Sequence, residues 1–95
     1  MKAKDKDRIF AVYRDIGRRV AFYRNLRGLS QEELAARADI SVSHLSKIEA
    51  PNTPTGFSID ILILIADVLN VDIAAFFCAP EVFIPFVKNK DNNKN

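Results

Sequence analysis

The residues of this sequence that could do chemistry are concentrated between Gln31 and Glu49. This stretch reads as two short helices joined by a tight turn, and the second helix carries a short polar face formed by Ser41, Ser43, His44, Ser46 and Lys47. A helix faced with serine, histidine and lysine is poorly equipped for catalysis. It is well suited to the major groove of DNA, where hydroxyl and ammonium groups can hydrogen-bond to base edges. The pattern therefore predicts nucleic-acid recognition.

Local signals place the ends of these two helices. Ser30 and Glu33 have the spacing of a capping box at the start of the first helix. Ser41 is a suitable N-cap for the second helix. Pro51 disfavours helical geometry at the residue before it, so the second helix should end near Glu49.

The apolar residues of the stretch have the spacing of a core-facing surface. The side chains expected to point inward are Leu34, Ala35, Ile40, Leu45 and Ile48. Ala35 is small enough to let the second helix approach closely. Asp39, at the turn, needs a left-handed backbone, which Asp tolerates better than most residues.

Three further helices are predicted around this pair. A long first helix should begin near Lys6 and end at about Arg27, before Gly28. A fourth, capped by Ser58, should run over residues 59–69, and it is apolar nearly all round, which favours deep burial or a partner. A short fifth helix is predicted from residue 72 to about residue 77.

The segment IGRRVAFYRNLRGLSQEELAARADISVSHLSKIE closely resembles the helix-turn-helix domain of the lambda-repressor and Cro-like family, also called the XRE family. The resemblance rests on Ile16-Gly17, Val20, Arg24, the run Gly28 to Ala35, Ser41, Ser43 and the run Leu45 to Glu49, with a second block from Ile61 to Val71. It implies an all-α, compact five-helix lambda-repressor-like DNA-binding domain over residues 1–79, here with an extended N-terminal helix. Residues 80–95 would form a C-terminal tail, apolar and extended at first, then polar and disordered.

The same resemblance implies the roles of individual residues. Base contacts are expected from Ser41, Val42, Ser43 and Lys47. Phosphate contacts are expected from Gln31 and, as weaker candidates, from His44, Ser46, Asn52 and Thr53. Arg24 and Glu49 match a pair that bridges the first and third helices in this family, so a structural role is expected for them.

The sequence departs from the family pattern at two places. Asp39 stands where the family usually has glycine. After Glu49, where the family tends to have an Arg-Gly-like pair, the chain has Ala50-Pro51 and a longer, stiffer loop. Outside the motif, Arg18, Arg19 and Arg27 are interpreted as solvated charges.

Composition narrows the classes of protein to which this sequence could belong. Residues 1–49 hold eleven Lys and Arg against seven Asp and Glu, whereas residues 50–95 hold three against five, so the positive half carries the motif. The one cysteine, Cys78, excludes an internal disulfide and is expected to be a small buried hydrophobe, and the one histidine has no metal-binding partners nearby. No metal or cofactor is therefore expected. No small-molecule effector is evident, and an inducer, if there is one, must bind this small domain or a partner. No apolar run approaches the ~20 residues of a membrane span, and no signal peptide is evident, so we expect a cytoplasmic protein.

The motif leaves a set of large apolar residues near the C-terminus unexplained. These candidates for a dimer interface are Phe76, Phe77, Val82, Phe83, Ile84 and Phe86. They could pack on the chain's own first helix near Phe10 and Phe22, or on a second copy, which we favour because DNA of this kind is usually read as two half-sites.

The function expected from the sequence is that of a double-stranded DNA-binding transcriptional regulator, most simply a repressor. It would act as a homodimer on a pseudo-palindromic operator. The alternative is a protein-interaction module on the same fold, such as an antitoxin or a partner-binding regulator. An enzyme is not expected, because no paired-carboxylate cleft, Ser-His arrangement or phosphate loop is evident.

Overall fold

The chain folds into helices in every regular element that can be described. The computed structural model describes residues 1–52 and 56–80, and within them the elements are α1 (Ala3–Leu26), α2 (Gln31–Ala38), α3 (Val42–Glu49), α4 (Ile59–Leu69) and a 3₁₀ helix, η1 (Ile73–Phe77). The all-α class is confirmed. The fifth element is a single short 3₁₀ helix instead of an α-helix, so the described residues hold four α-helices where the sequence predicted five.

The predicted helix ends are correct for α2, α3 and α4 because each is fixed by a local cap. Ser30, Ser41 and Ser58 each accept a backbone N–H three residues later. α1 begins earlier than predicted, at Ala3, where the Asp5 carboxylate accepts the backbone N–H of Lys2 at 3.3 Å. Asp5 therefore lies inside the first turn of α1.

Left-handed residues end two of the helices. Asp39, with φ 58° and ψ 44°, follows α2, and Asn70, with φ 56° and ψ 48°, follows α4. The left-handed backbone predicted at Asp39, where the family usually has glycine, is thus present. The turn is closed by the backbone N–H of Ile40, which donates to the carbonyl of Ala35 at 3.0 Å.

The core lies between α1, α3, α4 and η1, with α2 packed against α3 and α4. Its largest fully buried side chains are Tyr23, Phe76, Leu34, Leu45, Ile65, Leu69 and Val20. Gly17 marks the closest approach of α1 to α3, because a Cβ built there would overlap the carbonyl oxygen of Ile48. Only glycine lets α3 lie this close to α1.

Phe76 belongs to this core, and its assignment as a dimer-interface candidate was wrong. The side chain is 0% exposed, and its ring lies 6.0 Å from that of Tyr23, edge to face. Phe77, its neighbour on η1, is 52% exposed. Cys78 is half-buried, and its thiol donates to the carbonyl of Ala74 at 3.5 Å.

The apolar stripe along α1 is covered only in its second half. Ile16, Val20 and Tyr23 are buried, whereas Val12 is 51% exposed. The predicted tail, apart from Pro80, lies outside the described residues, and with it the interface candidates Val82, Phe83, Ile84 and Phe86.

Candidate nucleic-acid interface

Helix α3 presents a polar face to solvent and buries its apolar face. Leu45 and Ile48 pack into the core. The four predicted base-contact residues are all exposed, and they share the outer side and the N-terminal end of α3: Ser41, Val42, Ser43 and Lys47. Because the inner face is held by the core, the orientation of the outer face is fixed. A rigid helix with an exposed hydroxyl and ammonium surface can lie in a major groove.

Ser41 combines two tasks at the start of α3. Its hydroxyl oxygen accepts the backbone N–H of His44 at 3.0 Å. The hydroxyl proton can still be donated to an acceptor outside the chain. The predicted weaker phosphate candidates differ in placement: Ser46 and Asn52 are exposed, His44 is half-buried, and Thr53 lies outside the described residues.

Gln31 is the first residue of α2, and its side chain is already engaged inside the chain. Its Nε2 donates to Oε1 of Glu49 at 2.9 Å. A side-chain amide has two N–H groups, so one hydrogen bond to Glu49 leaves a second donor for a phosphate. The sequence did not predict the contact with Glu49, since it joins residues eighteen positions apart.

The predicted pair of Arg24 and Glu49 is present as a two-pronged ion pair. Arg24 Nε and Nη2 donate to the two carboxylate oxygens of Glu49, each at 2.8 Å. The two side chains are only 13% and 5% exposed. The hydrogen bond to Glu49 raises the pKa of Arg24 above its ordinary value, despite the opposing effect of burial. Arg24 Nη1 also donates to the carbonyl of Leu29 at 2.8 Å.

These bonds join the three helices that form the candidate interface. Glu49 at the end of α3 accepts from Arg24 on α1 and from Gln31 on α2. A single carboxylate therefore fixes α3 relative to the N-terminus of α2. The helix-terminal N–H groups there are natural anion ligands, and their spacing from the α3 face is set by this network.

Two arginines interpreted as solvated charges have structural contacts instead. Arg27 donates from Nε to the carbonyl of Leu69 at 2.7 Å and from Nη2 to that of Asn70 at 3.1 Å. It thus neutralises carbonyls at the C-terminal end of α4, where a cation is favourable. Arg19 donates from Nη1 to the carbonyl of Phe76 at 3.2 Å. Arg18 remains exposed, in a loose ion pair with Asp15 at 3.7 Å.

Two kinds of feature are missing from the part of the chain described here. Residues 1–52 and 56–80 contain no group of three or more His, Cys, Asp or Glu side chains placed to hold a metal ion. Among the same residues, no helix has both the length and the apolar character needed to cross a bilayer.

Comparison with known proteins agrees with this geometry. A family model described as helix-turn-helix matches residues 20–76, which is more than half of the chain and includes α2, α3 and α4. In solved structures, the chain is similar to a chain of the SinR protein–SinI protein complex. The two share 32% sequence identity over 83% of this chain and 72% of that chain, with a TM-score of 0.62. No curated protein matches significantly. The resemblance in sequence, the capped helix pair and the matched family model lead to one conclusion: the chain belongs to the XRE-type helix-turn-helix family.

Proposed function

We propose that this protein is a sequence-specific double-stranded DNA-binding regulator of transcription, most simply a repressor. The observation that carries the proposal is the exposed outer face of α3, which holds Ser43 and Lys47 at a fixed orientation above a buried inner face. Lys47 would donate to guanine O6 and N7, and Ser43 would accept or donate to several bases. Val42, 43% exposed, would contact a thymine methyl group.

Phosphate contacts would set the position of α3 in the groove. Gln31 would use its second amide N–H together with the N-terminal N–H groups of α2. Ser46, His44, Asn52 and Thr53 would contribute at the edges of the site. No small-molecule effector or cofactor enters this proposal, and a cytoplasmic location is part of it.

The proposed acting species is a homodimer on a pseudo-palindromic operator. One recognition helix reads too few base pairs for high specificity, and a two-fold dimer doubles the free energy of reading. The remaining interface candidates are Phe77 and the tail residues Val82, Phe83, Ile84 and Phe86. Deleting residues 80–95 is expected to give a monomer in sedimentation and a marked loss of operator affinity, with the helical circular-dichroism signal retained. A deletion variant that stays dimeric would place the interface elsewhere.

The experiment that tests the DNA-binding proposal is selection of bound sequences from a random duplex pool. We expect an enriched pseudo-palindrome whose binding weakens steeply with salt, because Lys and Arg contacts release counterions from the phosphates. A pool that shows no enrichment, with no salt-dependent shift of any duplex, would contradict the proposal.

A second candidate function, a protein-interaction module, is favoured by a separate observation. α4 exposes Ile59, Ile63 and Leu64 to solvent, an apolar surface that DNA binding does not require. The similar SinR protein is found in a complex with SinI protein, so a protein partner is a reasonable alternative for this chain. Protein binding without any DNA shift would favour this function over the first.

A further inference from the structure

An apolar groove lies beside η1, away from the polar face of α3. It has a volume of about 400 Å³, and its lining comes from the first half of α1, the start of α4 and η1: Ile9, Val12, Tyr13, Ile16, Phe57, Ile59, Leu62 and Phe77. None of these side chains is charged. Val12, Ile59 and Phe77 are each about half exposed, at 51%, 53% and 52%. The described residues therefore leave this groove uncovered.

The sequence supplies a segment that fits such a groove. Residues 82–87 read VFIPFV and contain no charged or hydrogen-bonding side chain. Burying each large apolar side chain is worth roughly 1.5–3 kcal/mol, so this segment gains by finding an apolar surface. The groove and the segment thus match in polarity, and both are left without a partner by the DNA-binding motif.

The last described residue of the chain lies on another side of α1 from its own groove. Pro80 lines a separate cavity together with Asp15, Arg18 and Phe22 of α1. With 3.6 residues per turn, those three positions lie roughly 120° around the axis of α1 from the groove residues of the same helix. To enter its own groove, the tail would have to return from this side of α1 to the side that lines the groove. A second copy has no such restriction.

The surface area that would be buried matches that of a stable dimer only if the tails of both copies dock. Each buried phenylalanine covers roughly 150–250 Å², so Phe83 and Phe86 of two tails bury roughly 600–1,000 Å². The apolar residues beside them and the two covered grooves bring the total into the range of roughly 1,200–2,000 Å² that specific interfaces bury. Reciprocal docking is also isologous, as two-fold symmetry requires.

We propose that the groove between α1, α4 and η1 receives residues 82–87 of a second copy of this chain, and that its own tail enters the groove of that copy. This inference rests on the proposed homodimer and specifies how it is held together. It also gives a role to the part of α1 that precedes the helix-turn-helix match, which begins only at residue 20: without Ile9 and Val12 the groove would lack one wall.

Complementation between two variants tests this exchange of tails between the two copies. Val12→Asp places a carboxylate in the groove and leaves the tail intact, whereas Phe83→Asp damages the tail and leaves the groove intact. Each variant alone is expected to raise the dimer dissociation constant at least about tenfold, because an unpaired carboxylate is costly in an apolar site. An equimolar mixture is expected to form a heterodimer, since one intact tail can still enter one intact groove. Sedimentation equilibrium measures all three samples.

Phe10→Asp is the matched control. Phe10 is 45% exposed on the same helix but does not line the groove. We expect wild-type association for this control, and retained circular dichroism for all three variants. If Val12→Asp unfolds, Ile59→Asp on the opposite wall of the groove replaces it.

The other outcomes overturn the inference. A mixture that stays as weakly associated as its components would show that the tail, if it docks, docks on its own chain. Dimers unaffected by both variants would place the interface elsewhere, and a monomeric wild-type protein would exclude the exchange. A salt-dependent shift on a random duplex, measured with Val12→Asp, keeps these results apart from the DNA-binding proposal. That proposal predicts that the variant still shifts the duplex, with the weaker affinity of a monomer, because the face of α3 is unchanged.

Discussion

Helices α3 and α4 begin with the same chemistry but present opposite kinds of surface to solvent. Ser41 caps α3 at 3.0 Å and Ser58 caps α4 at 3.3 Å, and each helix buries one apolar stripe. The outer face of α3 carries Ser43, Ser46 and Lys47. This face can donate hydrogen bonds to acceptors such as those that the base edges of DNA present.

The outer face of α4 has the reverse character. It exposes Ile59, Ile63 and Leu64, with only the carboxylates of Asp60 and Asp67 among them. Such a face is repelled by phosphates and gains from apolar contact. The comparison teaches that caps and buried stripes decide where a helix lies, whereas the outer residues decide what it can bind.

The largest effect on this difference between α3 and α4 is expected from Arg24→Ala, which weakens the attachment of α3. The change leaves the Glu49 carboxylate, 5% exposed, without its cation at the end of α3. We expect a loss of about 3 kcal/mol in the free energy of unfolding, since an unpaired buried charge is costly. Urea melts measure it. Arg18→Ala, which removes only an exposed pair at 3.7 Å, is the control and should change little. A wild-type urea midpoint for Arg24→Ala would show that the ion pair with Glu49 does not stabilise the position of α3.

A smaller effect is expected from Gly17→Ala, which acts on α3 and not on α4. The added methyl group would overlap the carbonyl oxygen of Ile48, so α1 and α3 must move apart. We expect a loss of about 2 kcal/mol in the free energy of unfolding from this overpacking. We also expect weaker DNA binding under conditions where the variant is fully folded.

Gly56→Ala is the control for this change, because the atom nearest to its Cβ would be in Tyr13, at an ordinary contact distance of 3.5 Å. Urea melts and gel shifts on one duplex compare the two variants. If Gly17→Ala binds DNA as the wild type does, the close approach of α1 does not set the position of α3.

The third prediction separates base recognition from phosphate contact on the proposed DNA-binding surface. Lys47→Ala should weaken specific binding by roughly 1–3 kcal/mol and relax the preference at one base pair in each half-site. Gln31→Ala should weaken all sequences about equally, and it should also lower stability slightly because Glu49 loses a donor at 2.9 Å. Binding to a panel of single-base variants of the selected duplex measures both.

Asp60→Ala, on the outer face of α4, is the control and should leave the sequence preference unchanged. An unchanged preference for Lys47→Ala would instead mean that Lys47 only contacts phosphate. In that case the assignment of α3 as the reading surface would depend on Val42 and Ser43 alone.

Features set by neighbouring residues could be predicted from the sequence. The Ser caps fixed α2, α3 and α4, and Pro51 correctly predicted the end of α3 at Glu49. The family resemblance supplied Arg24 and Glu49 as partners. The predicted DNA contacts remain predictions, because solvent exposure alone does not identify what a side chain binds.

Features set by tertiary contacts could not be predicted. Arg19 and Arg27 reach carbonyls 57 and 42 residues away, and no local signal distinguishes them from solvated arginines. The opposite fates of Phe76 and Phe77 depend on the direction in which a short 3₁₀ helix faces the core. Two adjacent phenylalanines in a sequence do not reveal that direction.

The smallest effect is expected at the start of α2, which differs from α3 and α4 in one respect. Glu33 completes a capping box by accepting the backbone N–H of Ser30 at 2.9 Å, whereas His44 and Ile61 occupy the corresponding positions of α3 and α4. The hydrogen bond from the Ser30 backbone lowers the pKa of Glu33 in the folded state. The stabilisation from this carboxylate is therefore present above its unfolded pKa and is lost as the pH falls through the folded value.

We expect Glu33→Gln to shift the urea midpoint slightly at pH 7. The shift should become progressively smaller as the pH falls below the pKa of an ordinary glutamate. Glu32→Gln, the exposed neighbour in the same turn, controls for the change in net charge. A midpoint difference between Glu33→Gln and the wild type that stays constant with pH would show that the carboxylate charge does not contribute to the cap.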